Sequence, residues 1–309
     1  MKIVTFSEGS GPERLGALVG DQVVDLEVAA AMHVPGGVHP FGDVLHFLEH
    51  GRAAIDRAAA VIPWAAVRSD GRFVRPLSEV QLLAPIPRPF KILCLAGNYA
   101  EHWREGGQTA PPKANHTPEV FVKPITTIVG PGAAIRLPGP LCSKVDYEGE
   151  LVAVIGSTAK NVPVERALEY VTGYCNFNDV SGRALTIDLA RNPTARTAWF
   201  DWLNGKWFDT FGPLGPFLAI DEIADPQNLR IQTRVNGRVR QDSRTGDMIF
   251  TIAETIAWIS RFLTLQPGDL IATGTPSGVG ATSGTYLQAG DVVEVEVEGL
   301  GILSNPVRD

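Results

Sequence analysis

Apolar and polar residues alternate over short stretches at the start of the chain. This pattern predicts strands at Lys2–Phe6, Arg14–Val19 and Gln22–Leu26, which follow one another closely enough to form a small β-meander. Between Phe41 and Ala60 the apolar residues recur at helical spacing instead. The N-terminal part of the chain is therefore predicted to combine a small sheet with a helix.

The remainder of the chain repeats the pattern of short strands bounded by glycine and proline. The predicted strands are Lys91–Ala96, Glu119–Pro124, Thr126–Gly132, Val145–Gly156, Tyr174–Phe177, Ile231–Val235, Arg238–Gln241 and Gly268–Pro276, with a last hairpin that begins at Gly290. The predicted helices are Tyr99–Glu105, a stretch from Pro163 to Val171, and Ile249–Leu263. Asn236-Gly237, between two of the strands, is a strong signal for a tight hairpin turn.

The best candidate for a domain boundary is the segment Leu83–Pro89, which is rich in proline. A chain of 309 residues is long enough for one large or two modest domains. We therefore expect a small N-terminal domain of residues 1–86 and a larger C-terminal domain of residues 87–309.

Composition and charge indicate a protein that acts on a small molecule. The formal net charge is −7, with acidic and basic residues mixed along the chain and no basic block, which argues against a surface for nucleic acid or an anionic membrane. No apolar run approaches the length of a membrane span, and the first residues reach charge and glycine too early for a signal peptide, so a cytoplasmic location is expected. The three cysteines are far apart, which favours buried thiols over disulfides or a thiolate metal site.

Carboxylates occupy alternate positions at Asp146, Glu148 and Glu150, and an apolar, β-branched stretch follows them. Residues two apart in a strand point to the same face, so Glu148 and Glu150 should lie close together. Converging carboxylates repel each other unless a cation lies between them, and oxygen ligands without nearby Cys or His suit Mg²⁺, Mn²⁺ or Ca²⁺. Asp179, at the end of the next predicted strand, is a candidate third ligand. The alternatives are a solvated edge strand, as in the run Val293–Glu298, and an Asp that caps a turn.

His102 and Glu105 are three residues apart in the predicted helix and so lie on one face. In that arrangement the carboxylate can hold the imidazole in one tautomer and raise its basicity, which would allow it to activate water. The alternative is an ordinary surface pair. Gly106-Gly107 and the prolines at 111 and 112 would let this segment move as a lid.

Together these features resemble the fumarylacetoacetate hydrolase family, because motifs like those of the family occur in the same order over residues 91 to about 305. The matching motifs are Gly97-Asn98-Tyr99 with His102 and Glu105, Phe121-Val122-Lys123-Pro124, Asp146-Tyr147-Glu148-Gly149-Glu150-Leu151, Asn178-Asp179-Val180-Ser181, Gly205-Lys206 with Phe208-Asp209-Thr210, Pro213-Leu214-Gly215-Pro216, Val235-Asn236-Gly237, Met248-Ile249-Phe250 and Thr273-Gly274-Thr275-Pro276. The resemblance implies an α+β fold that is mainly β. The C-terminal catalytic domain would be the family's mixed β-sandwich roll, and the N-terminal part a small α/β domain. It also implies a homodimer.

The resemblance also assigns roles to individual residues. The implied metal ligands are Glu148, Glu150 and Asp179. The implied catalytic residues are His102 and Glu105, as the water-activating dyad, together with Lys123. Lys206 and Thr275 are implied to contact the substrate's carboxylate and carbonyl oxygens, as Lys123 also would, with Arg183 and Gln241 as helpers. The implied cofactor is Mg²⁺, with Mn²⁺ or Ca²⁺ as alternatives.

The activity that the resemblance implies is metal-dependent hydrolysis of a carbon–carbon bond in a 2,4-dioxo acid, such as an acylpyruvate or fumarylpyruvate. The alternatives are a decarboxylase or isomerase of a 2-oxo acid in aromatic catabolism, a related lyase, and a protein that binds a 2-oxo acid without turning it over. One departure from the family pattern is Ala184, where relatives commonly have an Asp. The aromatic segment 184–204 contains Trp199, Phe200 and Trp202 and would suit an enlarged or apolar acyl group.

Overall fold

A computed structural model describes residues 1–68, 70–185 and 194–309. Its strands are β1 (Lys2–Ser7), β2 (Arg14–Val19), β3 (Gln22–Asp25), β4 (Val74–Pro76), β5 (Gln81–Leu82), β6 (Ile92–Ala96), β7 (Glu119–Val122), β8 (Ile128–Val129), β9 (Ile135–Arg136), β10 (Val145–Asp146), β11 (Gly149–Ile155), β12 (Val171–Asn178), β13 (Ser181–Gly182), β14 (Gly212–Ala219), β15 (Arg230–Val235), β16 (Arg238–Arg244), β17 (Leu270–Ala272), β18 (Val292–Val297) and β19 (Ile302–Arg308). Its α-helices are α1 (Leu26–His33), α2 (Val44–Glu49), α3 (Gly51–Ala66), α4 (Ala100–Glu105), α5 (Ala195–Asn204), α6 (Ile252–Ser260) and α7 (Gly280–Ser283).

Three groups of strands organise the described part of the chain. A twelve-stranded sheet runs in the order β4-β3-β2-β1-β14-β12-β11-β17-β6-β7, with β5 paired to β1 and β8 paired to β14. A five-stranded sheet has the order β16-β15-β18-β19-β9, and β10 and β13 form a separate pair. The expected α+β class with a mainly β architecture is confirmed. Within the described residues, no helix has the length and apolar character needed to cross a bilayer.

The large sheet is covered on both faces. Val152 and Val154 on β11 belong to a buried cluster that also contains side chains of α1, α2 and α3. Leu151, Ala153 and Ile155 belong to a second cluster, which includes α6 and residues of the five-stranded sheet. Because successive side chains of a strand point to opposite faces, a strand buried on both sides reads as a continuous apolar run. This burial holds β11, and the carboxylates at its start, in a fixed position.

Several predicted elements are confirmed. The N-terminal meander forms, since β2 pairs antiparallel with both β1 and β3. The hairpin turn at Asn236-Gly237 joins β15 to β16, with φ angles of 52° and 74°. The Thr251 side chain accepts a hydrogen bond from the Glu254 N–H and thereby caps α6, which lies inside the predicted range.

Other elements differ from their prediction for local reasons. The single helix expected between residues 41 and 60 is two helices, because Gly51 adopts a φ of 54° where α3 begins. Helix α1 was not predicted; the Asp25 side chain caps it and accepts a hydrogen bond from the Val28 N–H at 3.1 Å. The stretch Val164–Tyr170 is a 3₁₀ helix. Of the strand expected over Thr126–Gly132, only the two residues of β8 are in a strand.

The prediction of one continuous strand through the alternating acids is wrong. The chain leaves the β10 strand after Asp146, which pairs with Ser181, and begins β11 at Gly149, which pairs with Asn178. In the gap, the Glu148 N–H donates to the Asn178 side-chain oxygen at 2.9 Å instead of to a strand partner. Two different pairing partners therefore bend the chain at the carboxylates.

The proline-rich segment at the proposed domain boundary packs closely against β1. The Leu83 N–H donates to the Thr5 carbonyl at 2.9 Å, and the Thr5 hydroxyl donates to the Pro85 carbonyl at 2.9 Å. Strand β1 also pairs with β14 in the large sheet, where Lys2 faces Ala219. The two regions thus share a sheet, and the division at residues 86 and 87 stays a prediction.

Candidate active site

Three carboxylates meet at one end of the paired strands β11 and β12. Glu148 precedes β11, Glu150 lies on it, and Asp179 directly follows β12. Since Gly149 pairs with Asn178, the antiparallel register brings the start of one strand to the end of the other. One oxygen from each carboxylate lies within 4.8 Å of the others, and all three residues are buried. The convergence that alternate spacing predicted is therefore present, although the strand itself is interrupted.

Two buried lysines contact this cluster. Lys206 Nζ donates to Glu148 Oε2 at 2.9 Å, to Asp179 Oδ2 at 2.7 Å and to the Ser181 hydroxyl at 2.9 Å. These contacts use all three of its N–H donors. Lys123 Nζ donates to Asp179 Oδ1 at 2.6 Å and to the Val180 carbonyl at 3.1 Å. Both lysines thus offset carboxylate charge inside the protein.

The three acids differ in how well their charge is compensated. Burial opposes ionisation of Glu148, but Lys206 and then Arg183 outweigh it and hold its pKa well below the usual range. Burial and the charges of Asp179 and Glu148 raise the pKa of Glu150 well above its ordinary value. From the described residues, Glu150 accepts one hydrogen bond, from the Gly274 N–H at 2.8 Å.

A divalent cation fits this arrangement. Among the described residues, the local donors are carboxylate oxygens that converge from three side chains, which is a hard oxygen site of the kind that Mg²⁺ and Mn²⁺ prefer. A cation there would supply the positive charge that Glu150 lacks. The ligands would be Glu148, Glu150 and Asp179.

His102 and Glu105 form the predicted pair. His102 Nδ1 lies 2.5 Å from Glu105 Oε1, so this contact does not use the other ring nitrogen, Nε2. The other carboxylate oxygen accepts from the Gly278 N–H at 2.7 Å and from the Thr282 hydroxyl at 2.9 Å. Burial opposes ionisation of Glu105, but these hydrogen bonds, with that from His102 foremost, lower its pKa below the ordinary value. Glu105 therefore stays charged and both orients the imidazole and joins α4 to the turn before α7.

The base of α4 is fixed by the motif that precedes it. The Asn98 side-chain amide donates to the Thr273 carbonyl at 2.8 Å and to the Phe250 carbonyl at 3.0 Å. Trp103 Nε1 donates to the Gly97 carbonyl at 2.6 Å. These bonds place α4 beside the segment whose Gly274 N–H contacts Glu150. Movement of this helix as a lid stays a prediction.

Asp146 is a site residue to which the sequence analysis assigned no role. Its Oδ1 accepts from the Gly280 N–H at 2.6 Å, and its Oδ2 accepts from the Ala281 N–H at 2.9 Å and from Arg183 Nε at 3.0 Å. Arg183 Nη2 in turn donates to Glu148. Asp146 thus holds both the turn that receives Glu105 and the arginine that contacts a proposed metal ligand. The sequence signal that could have identified Asp146 as a site residue is its alternate spacing with Glu148 and Glu150.

We expect Asp146→Asn to destabilise the protein by about 3 kcal/mol, because the new NH₂ group faces two donors and Arg183 loses a charge partner. Urea denaturation measures this difference. Asp43→Asn is the matched control, since Asp43 is an exposed cap that accepts from the His46 N–H and Asn caps equally well. A loss for Asp146→Asn as small as that of the control would show that the buried network adds no stability.

His102 of the dyad and Glu148 of the carboxylate cluster line a common cavity of about 810 Å³. The predicted site residues that line it are His102, Glu148, Arg183, Lys206 and Thr275. Glu150 and Asp179 are almost completely buried and do not belong to its lining.

Thr275 and Gln241 are engaged within the protein. The Thr275 hydroxyl donates to the Gly149 carbonyl at 3.0 Å and accepts from Gln241 Nε2 at 2.8 Å. Gln241 also donates to the Pro276 carbonyl at 2.8 Å and accepts from the Gly149 N–H at 2.9 Å. Both side chains therefore brace the backbone between Glu148 and Glu150. Substrate contact by either stays a prediction.

Comparison with known proteins identifies the family. The model of the fumarylacetoacetate (FAA) hydrolase C-terminal domain matches residues 91–308. The chain belongs to the fumarylacetoacetate hydrolase family. A mitochondrial oxaloacetate tautomerase of Xenopus laevis from this family is 39% identical over 99% of this chain and 90% of its own length.

Solved structures of fumarylacetoacetate hydrolase family members share the whole fold. A fumarylacetoacetate hydrolase from the psychrophilic Exiguobacterium antarcticum has a TM-score of 0.78 and 32% identity, covering 100% of this chain and 99% of that chain. A maleylpyruvate hydrolase from Sphingobium sp. SYK-6, in complex with manganese(II) and pyruvate, has a TM-score of 0.76 and 28% identity with the same coverage. A 5-carboxymethyl-2-hydroxymuconate delta-isomerase from Mycobacterium smegmatis has a TM-score of 0.71 and 33% identity, again with the same coverage. The family thus includes hydrolases, isomerases and tautomerases.

Proposed function

We propose that this protein is a divalent-metal-dependent hydrolase that cleaves the C3–C4 bond of a 2,4-dioxo acid. The observation that carries this proposal is that His102, paired with Glu105, and Glu148, one of three clustered carboxylates, line the same cavity. A base held by a carboxylate is what water activation requires. Enolisation of a 2-oxo acid alone requires only a single base.

The proposed roles follow from the contacts. When bound at Glu148, Glu150 and Asp179, Mg²⁺ or Mn²⁺ would supply positive charge to the 2-oxo acid's carboxylate and keto oxygens. Lys206 holds Glu148 and Asp179 in position, and Lys123 holds Asp179. Gln241 and Thr275 hold the backbone at Gly149, so we give them a positioning role.

The proton steps are assigned to the dyad. His102 Nε2 takes a proton from water while the water oxygen bonds to C4, and Glu105 stabilises the imidazolium that forms. The C3–C4 bond then breaks, its electron pair goes to C3, and C3 gains a proton. The products are pyruvate and a carboxylic acid, with one water consumed.

A second candidate is tautomerisation of oxaloacetate. It is favoured by relatives of that name that are 39% and 42% identical over 99% and 85% of this chain, respectively. In this reaction His102 would move a proton between C3 and the C2 oxygen, and no water would be activated.

One experiment separates the two reactions. Metal-stripped protein is incubated with acetylpyruvate or with enol oxaloacetate, with and without Mg²⁺ or Mn²⁺, and both ultraviolet absorbance and products are followed. Metal-dependent release of pyruvate and acetate is the expected result. Metal-dependent conversion of enol to keto oxaloacetate, with acetylpyruvate untouched, would replace the hydrolase by the tautomerase.

The homodimer, the preference for Mg²⁺ and a cytoplasmic location are part of the same proposal. Light scattering of the purified protein and activity with each metal test the first two. The location rests on sequence, and the animal relatives are named as mitochondrial proteins.

A further inference from the structure

Aromatic side chains line the cavity directly beside its charged end. Lys206 Nζ, which contacts Glu148, lies 5.1 Å from the centre of the Phe121 ring and 5.3 Å from that of Trp202. The two rings are 5.1 Å apart and nearly perpendicular, at 73°. Such rings stabilise a buried ammonium group and present apolar surface elsewhere. The cavity therefore changes from charged to apolar within one side-chain length of the carboxylates.

Helix α5 extends this apolar surface away from the carboxylates. Trp199 lies three residues before Trp202, on the same face of the helix and about 4.5 Å further along its axis. Both line the cavity, and Trp199 is 55% exposed. Trp103 of α4 lines it as well, and because its Nε1 is bonded to the Gly97 carbonyl, the indole offers only its ring surface.

The described lining residues offer no free cation for a second carboxylate. Among them, one arginine and one lysine are present, Arg183 and Lys206. Both are hydrogen-bonded to Glu148. Glu119 also lines the cavity, and its side chain is 54% exposed. A substrate with a distal carboxylate would meet this negative charge, whereas a neutral group would not.

We propose that the acyl group of the substrate is flat, apolar and uncharged, so that the protein acts on aroylpyruvates of the benzoylpyruvate type. This inference rests on the proposed function and names its substrate class. The reaction is benzoylpyruvate plus water to benzoate plus pyruvate and one proton, in which a C4–O bond replaces the C3–C4 bond. Trp199 and Trp202 hold the aryl ring and set specificity.

The test compares kcat/KM for benzoylpyruvate and acetylpyruvate in the Mn²⁺-loaded wild-type enzyme and in Trp199→Ala. Two aromatic contacts predict a wild-type preference for benzoylpyruvate of about tenfold. Trp199→Ala should reduce this preference about fivefold, chiefly through KM for benzoylpyruvate, and Trp199→Phe should retain most of it. Phe262→Ala is the matched control, since Phe262 is 62% exposed and lies outside the cavity lining.

Equal kcat/KM for the two substrates in the wild type, or an equal loss for both in Trp199→Ala, would overturn the inference. If neither substrate is cleaved, the hydrolase proposal fails, and the inference is decided by binding. Calorimetry with Mn²⁺ should then give phenylpyruvate about tenfold tighter than pyruvate in the wild type, with the difference reduced in Trp199→Ala. Equal affinities would reject the aromatic acyl site as well.

Discussion

Glu150→Gln is expected to abolish metal binding and activity together. Changing groups that only support a metal ligand lowers affinity about 10–100-fold, so loss of a proposed ligand should lower Mn²⁺ affinity at least about 100-fold. Calorimetric titration of the metal-stripped protein measures this affinity. For the wild type, Mn²⁺ at 100 times its Kd should raise the free energy of unfolding by about 2.7 kcal/mol, and the variant should show no such gain at that concentration.

The metal-free variant distinguishes a lost ligand from a damaged fold. Because burial and two other carboxylates already oppose the charged form of Glu150, a neutral amide there removes no favourable charge, so the metal-free variant should be no less stable than the metal-free wild type. Glu296→Gln is the matched control: Glu296 also belongs to a strand of alternating acids, but it pairs with Arg234 at the surface. Unchanged Mn²⁺ affinity in Glu150→Gln would remove this residue from the site.

His102→Ala is expected to lower kcat for hydrolysis by about 10²–10⁴-fold while Mn²⁺ affinity stays within about twofold. The physical reason is that the variant lacks the proton acceptor for water and retains all three carboxylates. Steady-state kinetics with acetylpyruvate and calorimetry with Mn²⁺ give the two quantities. Glu105→Gln should show a smaller loss of kcat, because the imidazole remains but its charged partner does not.

His116→Ala is the control for this prediction. His116 packs against Trp103 of α4, with the two ring centres 6.3 Å apart, and does not line the cavity. Its replacement should leave kcat nearly unchanged. A His102→Ala enzyme with wild-type turnover would remove the dyad from the mechanism and favour a reaction without activated water.

The carboxylate cluster shows what local residue spacing can predict and what it cannot. Glu148 and Glu150 were placed together by alternation, and Asp179 was placed by the end of the next strand. The three carboxylates do lie together in the structure. The predicted strand nevertheless breaks between Asp146 and Gly149, because its two halves pair with different strands. Spacing identified the neighbours but could not give the pairing, which depends on strands formed far along the chain.

The hydrogen-bond partners of Glu105 and Asp146 could not be predicted from the sequence. Glu105 and Gly278 are 173 positions apart, and Asp146 and Gly280 are 134 apart. No role could be assigned to Gly278 and Gly280 from the sequence alone. In the fold, their N–H groups contact Glu105 and Asp146, respectively. Such contacts depend on backbone N–H groups, which every residue except proline carries, so residue type gives no signal for them.

Helix, strand and turn signals, the spacing of two acids and the spacing of a histidine and a glutamate were all readable from residue order, because each depends on geometry within a few residues. The charge state of the buried carboxylate cluster could not be read from residue order. Lys123 and Lys206 reach Asp179 across 56 and 27 positions, and their burial with it sets which acids are compensated, whereas the pKa of Glu150 is raised. Desolvation and long-range pairing arise only when the chain is packed, and they bring the candidate residues together beside a cavity with aromatic side chains in its lining.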